Sequence, residues 1–394
     1  MQNNTLSSLI LSFSLLLLPF LASAEAAHSL KVAFANDFYI GASLKSDFVV
    51  ADNNPQTQLI SSQFINSQFN SITSANMLKW GPFNPKPHTF NFNDADKFVD
   101  FGEVNNHYVV GHVLFWHNQT PKWVFQKNKS QSLNNKHVSY EQLNREQLLQ
   151  RMQERVSQLS QRYGDKIDAW DVVNETILSN GQWRKSKWTE IIGDDFAEQA
   201  FIIADKYLPK NIELLYNDFG MTAPGRRDAV VDMVKKMQAK GIRVDGIGMQ
   251  AHWALNSPSI AEIEKSIIAF ANLGVDVHIT ELDIDVLPRE KRQFGANTKL
   301  RLAMTKQNNP YVNGLPENIE QQLAQRYKEI FELFLKHNNK IKRVTFWGVT
   351  DQDSWLNNWP IKGRTSYPLL FNRAGKAKPA YEEVIRLSKS LSDK

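Results

Sequence analysis

Short apolar strands alternate with amphipathic helices along most of the sequence, and this alternation limits the possible folds more than any other feature. Helical patterns, with apolar residues three and four positions apart, include residues 146–163, 226–240, 259–272 and 319–337. Eight strand-like segments lie near residues 38–42, 71–73, 109–114, 169–173, 213–216, 246–249, 277–280 and 344–347. Such alternation builds a parallel sheet covered by helices, and eight units close the sheet into a barrel. The sequence therefore predicts an α/β fold, a (β/α)8 TIM barrel in a single domain.

Local signals at the ends of the helices support these boundaries. Gly241 and Gly274 each follow a helical pattern, at the position where glycine commonly ends a helix. The segment Ser257-Pro258-Ser259 precedes another helical pattern and supplies a capping serine. No linker rich in Ser, Gly or Pro divides the chain, so we expect one folded domain over residues 25–394.

The first 24 residues have the pattern of a signal peptide. Residues 9–21 form an apolar run that is too short to cross a membrane comfortably. The following Ala22-Ser23-Ala24 has the small-x-small form of a cleavage site. We therefore expect an exported protein, secreted or periplasmic, that is cleaved near Ala24 and has no membrane contact afterwards.

The composition excludes several classes of function. The chain has no cysteine, which excludes disulfides, thiolate nucleophiles, thiolate metal sites and a lipoprotein anchor. Its formal net charge is +5, from 46 basic and 41 acidic residues. No basic run is interleaved with aromatic residues, so we expect a solvated surface and no nucleic-acid partner. We also expect a monomer without a cofactor or a metal.

Polar and aromatic side chains follow nearly every predicted strand, at positions that converge on one cleft in a barrel. Two of them are carboxylates: Glu175 follows the strand at 169–173, and Glu281 stands where the apolar run of Val277–Ile279 ends and we expect a loop. A single glutamate at a strand end is more often an ion-paired or capping residue. Two carboxylates that face one cleft can hydrolyse a glycosidic bond.

Three segments, residues 170–175, 279–284 and 345–355, resemble glycoside hydrolase family 10 in their sequence and order. This is the xylanase family of retaining (β/α)8 barrels, and the resemblance extends from about Gly41 to Tyr381. It implies an endo-β-1,4-xylanase that hydrolyses internal β-1,4-xylosidic bonds of xylan or xylo-oligosaccharides with retention of configuration.

The resemblance also implies roles for the two carboxylates. Glu281 is similar to the family's nucleophile, which forms the glycosyl-enzyme intermediate, and Glu175 is similar to its general acid/base. Two carboxylates about 5–5.5 Å apart cannot both ionise easily, so we expect their mutual repulsion to raise the pKa of Glu175. The residues implied to support them are His252, Asp283, Asn174, Gln250 and Asn217.

In the family pattern the histidine contacts the nucleophile and the aspartate holds that histidine, while Asn174 resembles a residue that binds the sugar 2-hydroxyl. The substrate-binding set that the resemblance implies is Asn76, Lys79, His112, Trp116, Gln119, Tyr216, Trp347 and Trp355. The amides and Lys79 are suited to sugar hydroxyls, and the tryptophan rings to the apolar faces of pyranose rings.

One residue departs from the family pattern on the second strand. The family usually has a glutamate where this chain has Ala75, and that glutamate binds the sugar two units from the cleavage point. Its loss removes a charge-assisted hydrogen bond, worth about 1.5–3 kcal/mol. We therefore expect weaker or altered binding of that sugar.

Three alternatives stay open at this stage. A metal hydrolase would need histidines spaced as ligands, but His112, His117, His252 and His278 show no such spacing, and we expect His278 to point away from the cleft. A non-catalytic glycan-binding barrel would keep the tryptophans and lose the carboxylates. The same enzyme class could also act on β-1,4-glucan.

The long polar segments 126–140 and 288–318 both follow strands, so we expect them over the catalytic face.

Overall fold

Eight parallel strands form a closed barrel in a computed structural model of the chain, which describes residues 29–49, 61–130, 139–288 and 299–392. The barrel strands are β1 Tyr39–Leu44, β2 Ser71–Ser74, β3 Tyr108–Trp116, β4 Ala169–Asn174, β5 Glu213–Asp218, β6 Gly246–Met249, β7 Asp276–Asp285 and β8 Ile341–Phe346. Each strand pairs in parallel with the next, and β8 pairs with both β7 and β1. The predicted (β/α)8 barrel is confirmed.

Most of the helices lie between these strands along the chain; one precedes β1 and one follows β8. Their bounds are Leu30–Ala33, Ser46–Val49, Ser62–Gln68, Trp80–Phe83, Phe92–Val104, Arg145–Tyr163, Lys187–Ile192, Phe196–Tyr207, Pro224–Ala239, Ile260–Ala271, Glu317–Lys336 and Pro379–Ser392. Ser259 caps the tenth of these in a reciprocal pair with Glu262, as its position in the sequence predicts. Gly241 and Gly274 follow helices with φ values of +70° and +75°, a conformation that glycine adopts without steric cost.

The largest apolar cluster includes barrel residues together with residues of the surrounding helices. Both faces of the barrel strands are covered, which explains why the strands appear in the sequence as nearly continuous apolar runs. Polar groups also lie buried in β8. Arg343 has no exposed surface, and its guanidinium donates to the hydroxyls of Thr73 and Thr345 at 3.2 and 2.6 Å.

Two smaller strand pairings modify the barrel. The short strand His252–Ala254 pairs with the end of β7, with His252 opposite Asp283, and this pairing extends β7 to Asp285. Glu281 therefore lies inside a ten-residue strand and not in a loop, which corrects the shorter strand predicted from the sequence. Two antiparallel strands, Gln126–Ser130 and Ser139–Gln142, follow the 3-10 helix Lys122–Phe125 and pair with each other.

The predicted signal peptide, residues 1–24, lies outside the described residues, as do residues 25–28. Within the described ranges, we find no helix with the length and apolar character that crossing a membrane requires.

Candidate active site

A cleft of about 840 Å³ opens where the carboxyl ends of the barrel strands converge. Glu175, directly after β4, and Glu281, within β7, both line it. The register between β7 and β8 shifts between Ile279 and Leu282, the stretch that contains Glu281. Such irregularities re-aim a side chain, and they are common beside active sites.

Glu281 is held by two hydrogen-bonding partners. The side-chain amide of Asn217 donates to Glu281 Oε1 at 2.8 Å, and His252 Nε2 lies 3.1 Å from Glu281 Oε2. Burial favours the neutral acid, but the hydrogen bond from His252 and the positive charges nearby, including that of Lys79, outweigh it and lower the pKa of Glu281. The carboxyl group is therefore ionised at neutral pH although it is 5% exposed.

His252 joins this carboxylate to a second one. Its Nδ1 lies 3.0 Å from Asp283 Oδ2, which also accepts a hydrogen bond from the Trp355 indole at 2.7 Å. Burial disfavours the imidazolium, but the charges of Asp283 and Glu281 outweigh burial and raise the pKa of His252 to about 10. The predicted contacts of His252 with Glu281 and Asp283 are thus present, and the histidine is a cation at neutral pH.

Glu175 has different surroundings. Its backbone has a φ of +61°, in the left-handed region that costs a non-glycine residue roughly 1–3 kcal/mol. Gln250 Nε2 donates to Glu175 Oε1 at 3.2 Å, and among the described residues Oε2 has no hydrogen-bond partner. Burial raises the pKa of Glu175, and the nearby Trp116 indole and the hydrogen bond from Gln250 counteract it. The increase expected from the sequence is present, but its main cause is burial, and the charge of Glu281 contributes less.

Asn174 connects the surroundings of the two carboxylates. Its side-chain oxygen accepts hydrogen bonds from Gln250 Nε2 and Asn217 Nδ2, both at 3.1 Å. Because Gln250 also donates to Glu175 and Asn217 to Glu281, a continuous set of three amides runs between the two carboxyl groups. This set fixes the amides in one orientation.

The side of the cleft next to β2 and β3 carries a buried cation. Lys79 Nζ donates to Asn76 Oδ1 at 3.2 Å and lies 5.0 Å from the centre of the Trp116 ring and 5.9 Å from that of Trp347. Burial lowers the pKa of Lys79 to about 8, although Glu281 and Glu175 favour its charge. Gln119, which follows β3, also contacts Asn76, with its Nε2 at 3.4 Å from Asn76 Oδ1.

The family model described as glycosyl hydrolase family 10 matches residues 29–387 of the chain. The chain belongs to glycosyl hydrolase family 10. The resemblance inferred from the three sequence segments is therefore confirmed.

The chain is similar to several curated relatives over most of their length. It is 39% identical to endo-1,4-beta-xylanase A of Xylanibacter ruminicola over 373 residues, which cover 95% of this chain and 97% of that one. It is 38% identical to an endo-1,4-beta-xylanase of Geobacillus stearothermophilus, over 91% and 98% of the two chains. A thermostable celloxylanase of Thermoclostridium stercorarium is 32% identical, over 92% and 88%.

A solved structure of a novel family 10 endoxylanase from a sugarcane soil metagenome is also similar. Its TM-score is 0.82 and its sequence identity is 41%, with 92% of this chain and 99% of that chain covered.

Most of the site residues inferred for this family 10 chain lie together. The described lining of the cleft includes Asn76, Lys79, His112, Trp116, Gln119, Asn174, Glu175, Gln250, His252, Glu281, Trp347 and Trp355. Asn217 and Asp283 are buried behind this lining and contact it through Glu281 and His252.

Tyr216 is the exception, and its assignment to the substrate-binding set is corrected. Its side chain has no exposed surface, it does not line the cleft, and its hydroxyl donates to Asp218 Oδ2 at 2.7 Å. Successive side chains of a strand point to opposite faces. Asn217 points to Glu281, so Tyr216 and Asp218 point to the other side of the sheet.

The sequence did not reveal several residues of this region. Asp171 Oδ2 lies 2.8 Å from His112 Nδ1, and the two residues are register partners on β4 and β3. Trp359 lines the cleft with its ring stacked on that of Trp355, at 4.9 Å between centres. The alternation of side chains along β4 could have indicated that Asp171 belongs to this region. The position of Trp359, four residues after Trp355 in the sequence, could have indicated Trp359.

The long segments that follow β3 and β7 differ in their relation to the cleft. Described residues of the second, Arg301, Leu302 and Asn308, line the cleft, as predicted. The described residues of the first form the paired strands Gln126–Ser130 and Ser139–Gln142, and none of them is among the lining residues. Ala75 lines the cleft at the ends of β1 and β2, near Lys45, whose ammonium donates to the backbone oxygen of Asp353 at 2.6 Å.

Within the described residues, one group of side chains is arranged so that it could hold a metal ion. It consists of Glu213, Asp276 and His278 at the amino-terminal ends of β5 and β7, away from the cleft. The Lys342 ammonium contacts both carboxylates of this group, so a protein cation already balances their charge. His278 does not line the cleft, in agreement with its predicted direction.

Proposed function

We propose that this chain is a retaining endo-β-1,4-xylanase that hydrolyses internal bonds of xylan and xylo-oligosaccharides. The observation that carries the proposal is the pair of buried carboxyl groups, Glu175 and Glu281, that line one cleft and have pKa values shifted in opposite directions. A retaining glycosidase needs one protonated and one ionised carboxyl group at the start of the reaction. The names of the relatives from Xylanibacter ruminicola and Geobacillus stearothermophilus support xylan as the substrate.

In the first step, an oxygen of Glu281 attacks the anomeric carbon of the sugar at the cleavage point. The bond from this carbon to the leaving oxygen breaks, and Glu175 transfers its proton to that oxygen. Glu175 suits this transfer, because burial raises its pKa and its side chain lines the cleft. The product is a glycosyl ester on Glu281 and a shortened chain with a free hydroxyl.

In the second step, water replaces the leaving sugar and cleaves the ester. Ester formation removes the negative charge of Glu281, and the loss of that charge lowers the pKa of Glu175. Glu175 then takes a proton from water as the water oxygen bonds to the anomeric carbon. Glu281 leaves as a carboxylate, and the two displacements together retain the configuration.

The polar groups around the carboxylates bind the sugars. We assign Asn174 to the 2-hydroxyl at the cleavage point, where a hydrogen bond strengthens as the transition state forms. Lys79, Asn76 and Gln119 lie together at one side of the cleft and supply donors to the sugars there. The rings of Trp347 and Trp355 contribute apolar surface to the same cleft.

The proposal is tested by monitoring the hydrolysis of defined xylo-oligosaccharides with proton NMR during the first minutes of the reaction. We expect cleavage of internal bonds and initial release of the β-anomer. Initial release of the α-anomer would contradict retention, and the absence of cleavage would contradict the activity. Cello-oligosaccharides provide the comparison, since the relative from Thermoclostridium stercorarium is a celloxylanase. Full activity in the presence of a chelator is expected.

Replacing Ala75 by glutamate tests whether this position limits substrate binding. The added carboxylate restores one charge-assisted hydrogen bond, about 1.5–3 kcal/mol, so we expect the KM for xylotriose to fall about tenfold or more. Unchanged kinetics on xylotriose would show that residue 75 does not contact the sugar.

We further propose export with cleavage near Ala24, and a monomeric protein. The amino-terminal sequence of protein recovered outside the cytoplasm tests the cleavage position. Light scattering during size-exclusion chromatography tests the oligomeric state, for which a mass of twice the chain would contradict the proposal.

A further inference from the structure

A third buried carboxyl group, that of Asp218, lies behind the cleft on the side of Glu175. Asp218 ends β5, has no exposed surface and does not line the cleft. Burial raises its pKa to about 7, Arg226 counteracts this increase, and the charge of Glu175 adds to it. The two carboxyl groups are therefore within electrostatic reach of each other. The activity proposed above gives Asp218 no role.

The contacts of Asp218 are directed at the turn that follows β4. Asp218 Oδ2 accepts hydrogen bonds from the Tyr216 hydroxyl at 2.7 Å and from the backbone N–H of Ile177 at 3.4 Å. Asp218 Oδ1 accepts from the backbone N–H of Phe219 at 2.9 Å, and Arg226 Nε lies 3.7 Å from the same oxygen. Arg226 Nε also donates to the backbone oxygen of Ile177 at 2.8 Å. Asp218 and Arg226 thus hold both backbone groups of Ile177.

The two residues before Ile177 are attached to the same strand. The Thr176 hydroxyl donates to the Tyr216 hydroxyl at 3.2 Å, and the backbone N–H of Glu175 donates to the backbone oxygen of Asn217 at 3.0 Å. From the other side, Arg184 Nε donates to the backbone oxygen of Glu175 at 2.7 Å. These contacts surround the one residue in this turn, Glu175, that has a left-handed backbone conformation.

A non-glycine residue keeps a left-handed backbone only where its surroundings impose it. For Glu175, the hydrogen bonds to residues 175–177 impose this conformation. Among the described residues that make these bonds, Asp218 is the only one with a carboxylate. We propose that Asp218 is a positioning residue for Glu175: by holding Ile177 and Tyr216, it fixes the turn that presents the Glu175 carboxyl group to the leaving oxygen. This inference rests on the proposed xylanase activity.

The test compares two substrates that differ in their need for an acid. Xylo-oligosaccharides need protonation of the leaving oxygen, whereas 2,4-dinitrophenyl β-xylobioside releases a stable anion without it. We expect Asp218→Asn to lower kcat/KM for xylohexaose about 10- to 100-fold, as a small misplacement of a catalytic group does. For the dinitrophenyl substrate we expect a change of less than about threefold, because formation of the glycosyl ester there needs no proton.

Asp351→Asn is the matched control. Asp351 is also a buried carboxyl group paired with a cation, with Lys378 Nζ at 3.0 Å, but it follows β8 and does not contact the Glu175 turn. We expect this variant to lower the Tm and to change kcat/KM by the same factor for the two substrates. Tyr216→Phe, which removes one donor to Asp218, should give the same separation at a smaller size, and it carries the test if Asp218→Asn does not fold.

Equal losses on both substrates, or no loss on either, would overturn the positioning role. If the wild-type chain cleaves neither substrate, the proposed activity fails, and this outcome is distinct from the failure of the inference.

Discussion

Glu175 and Glu281 are buried to almost the same extent, 7% and 5% exposed, yet their surroundings shift their pKa values in opposite directions. Burial alone would raise both values. Around Glu281, the hydrogen bond from His252 and nearby positive charges outweigh burial, whereas the indole of Trp116 and the amide of Gln250 do not outweigh it around Glu175. The two carboxyl groups are thus almost equally buried but differ in protonation. The hydrogen bonds and charges from neighbouring residues decide that Glu175 is the acid and Glu281 the anion.

The largest effect is expected from Glu281→Gln, which removes the ionised member of the pair. Without a nucleophile, we expect kcat to fall on the order of 10⁴-fold or more on every substrate, including activated aryl glycosides. Assays on xylan and on 2,4-dinitrophenyl β-xylobioside measure this loss. Retention of activity on the activated substrate would show that Glu281 is not the nucleophile.

Glu175→Ala should lower activity by different amounts on different substrates, whereas Glu281→Gln should lower it on all of them. We expect kcat/KM on xylan to fall about 10²- to 10⁴-fold, the usual contribution of an acid catalyst. On the dinitrophenyl substrate, kcat/KM should change little, and azide should raise kcat by replacing water as the second nucleophile. A uniform loss on both substrates, without rescue by azide, would contradict the acid/base role.

His252→Asn tests the cause of the low pKa of Glu281. The imidazolium keeps Glu281 ionised at low pH, so its removal raises the pKa of Glu281. The acid limb of the pH profile of kcat/KM should therefore move to higher pH. The alkaline limb, which reports Glu175, should move less. An unchanged acid limb would show that other cations control Glu281.

The smallest effect is expected from Gln250→Leu at the other carboxyl group. Gln250 donates to Glu175 Oε1 and stabilises its charged form, so its loss raises the pKa of Glu175 further. The alkaline limb should move to higher pH, and by less than the acid limb moves in His252→Asn. A shift of the alkaline limb to lower pH would contradict the assignment that Gln250 stabilises the charged form of Glu175.

The barrel and the two carboxyl groups could be predicted because their signals are local. Eight apolar strands alternate with helices, and Glu175 and Glu281 stand at the ends of two apolar runs. The pairing of His112 with Asp171 depends on the register between β3 and β4, which no local pattern specifies. Tyr216 faces away from the cleft, although its neighbour Asn217 contacts Glu281. The position after a strand indicates the cleft, but only the alternation of side chains along the strand indicates which residues face it.

Other features depend on contacts between distant segments. The last three residues of β7, Asp283–Asp285, pair with the short strand His252–Ala254, and the sequence of β7 alone does not indicate this pairing. Likewise, the cause of the high pKa of Glu175 is its burial, which depends on the assembled cleft.

Mass spectrometry of the protein after reaction with a 2-fluoro xylobioside bearing a good leaving group tests the central claim most directly. The fluorine slows hydrolysis of the ester, so the sugar should stay attached to the nucleophile, and peptide mapping should place the label on Glu281. A label on Glu175, or on any other residue, would contradict the assignment of the ionised carboxyl group as the nucleophile.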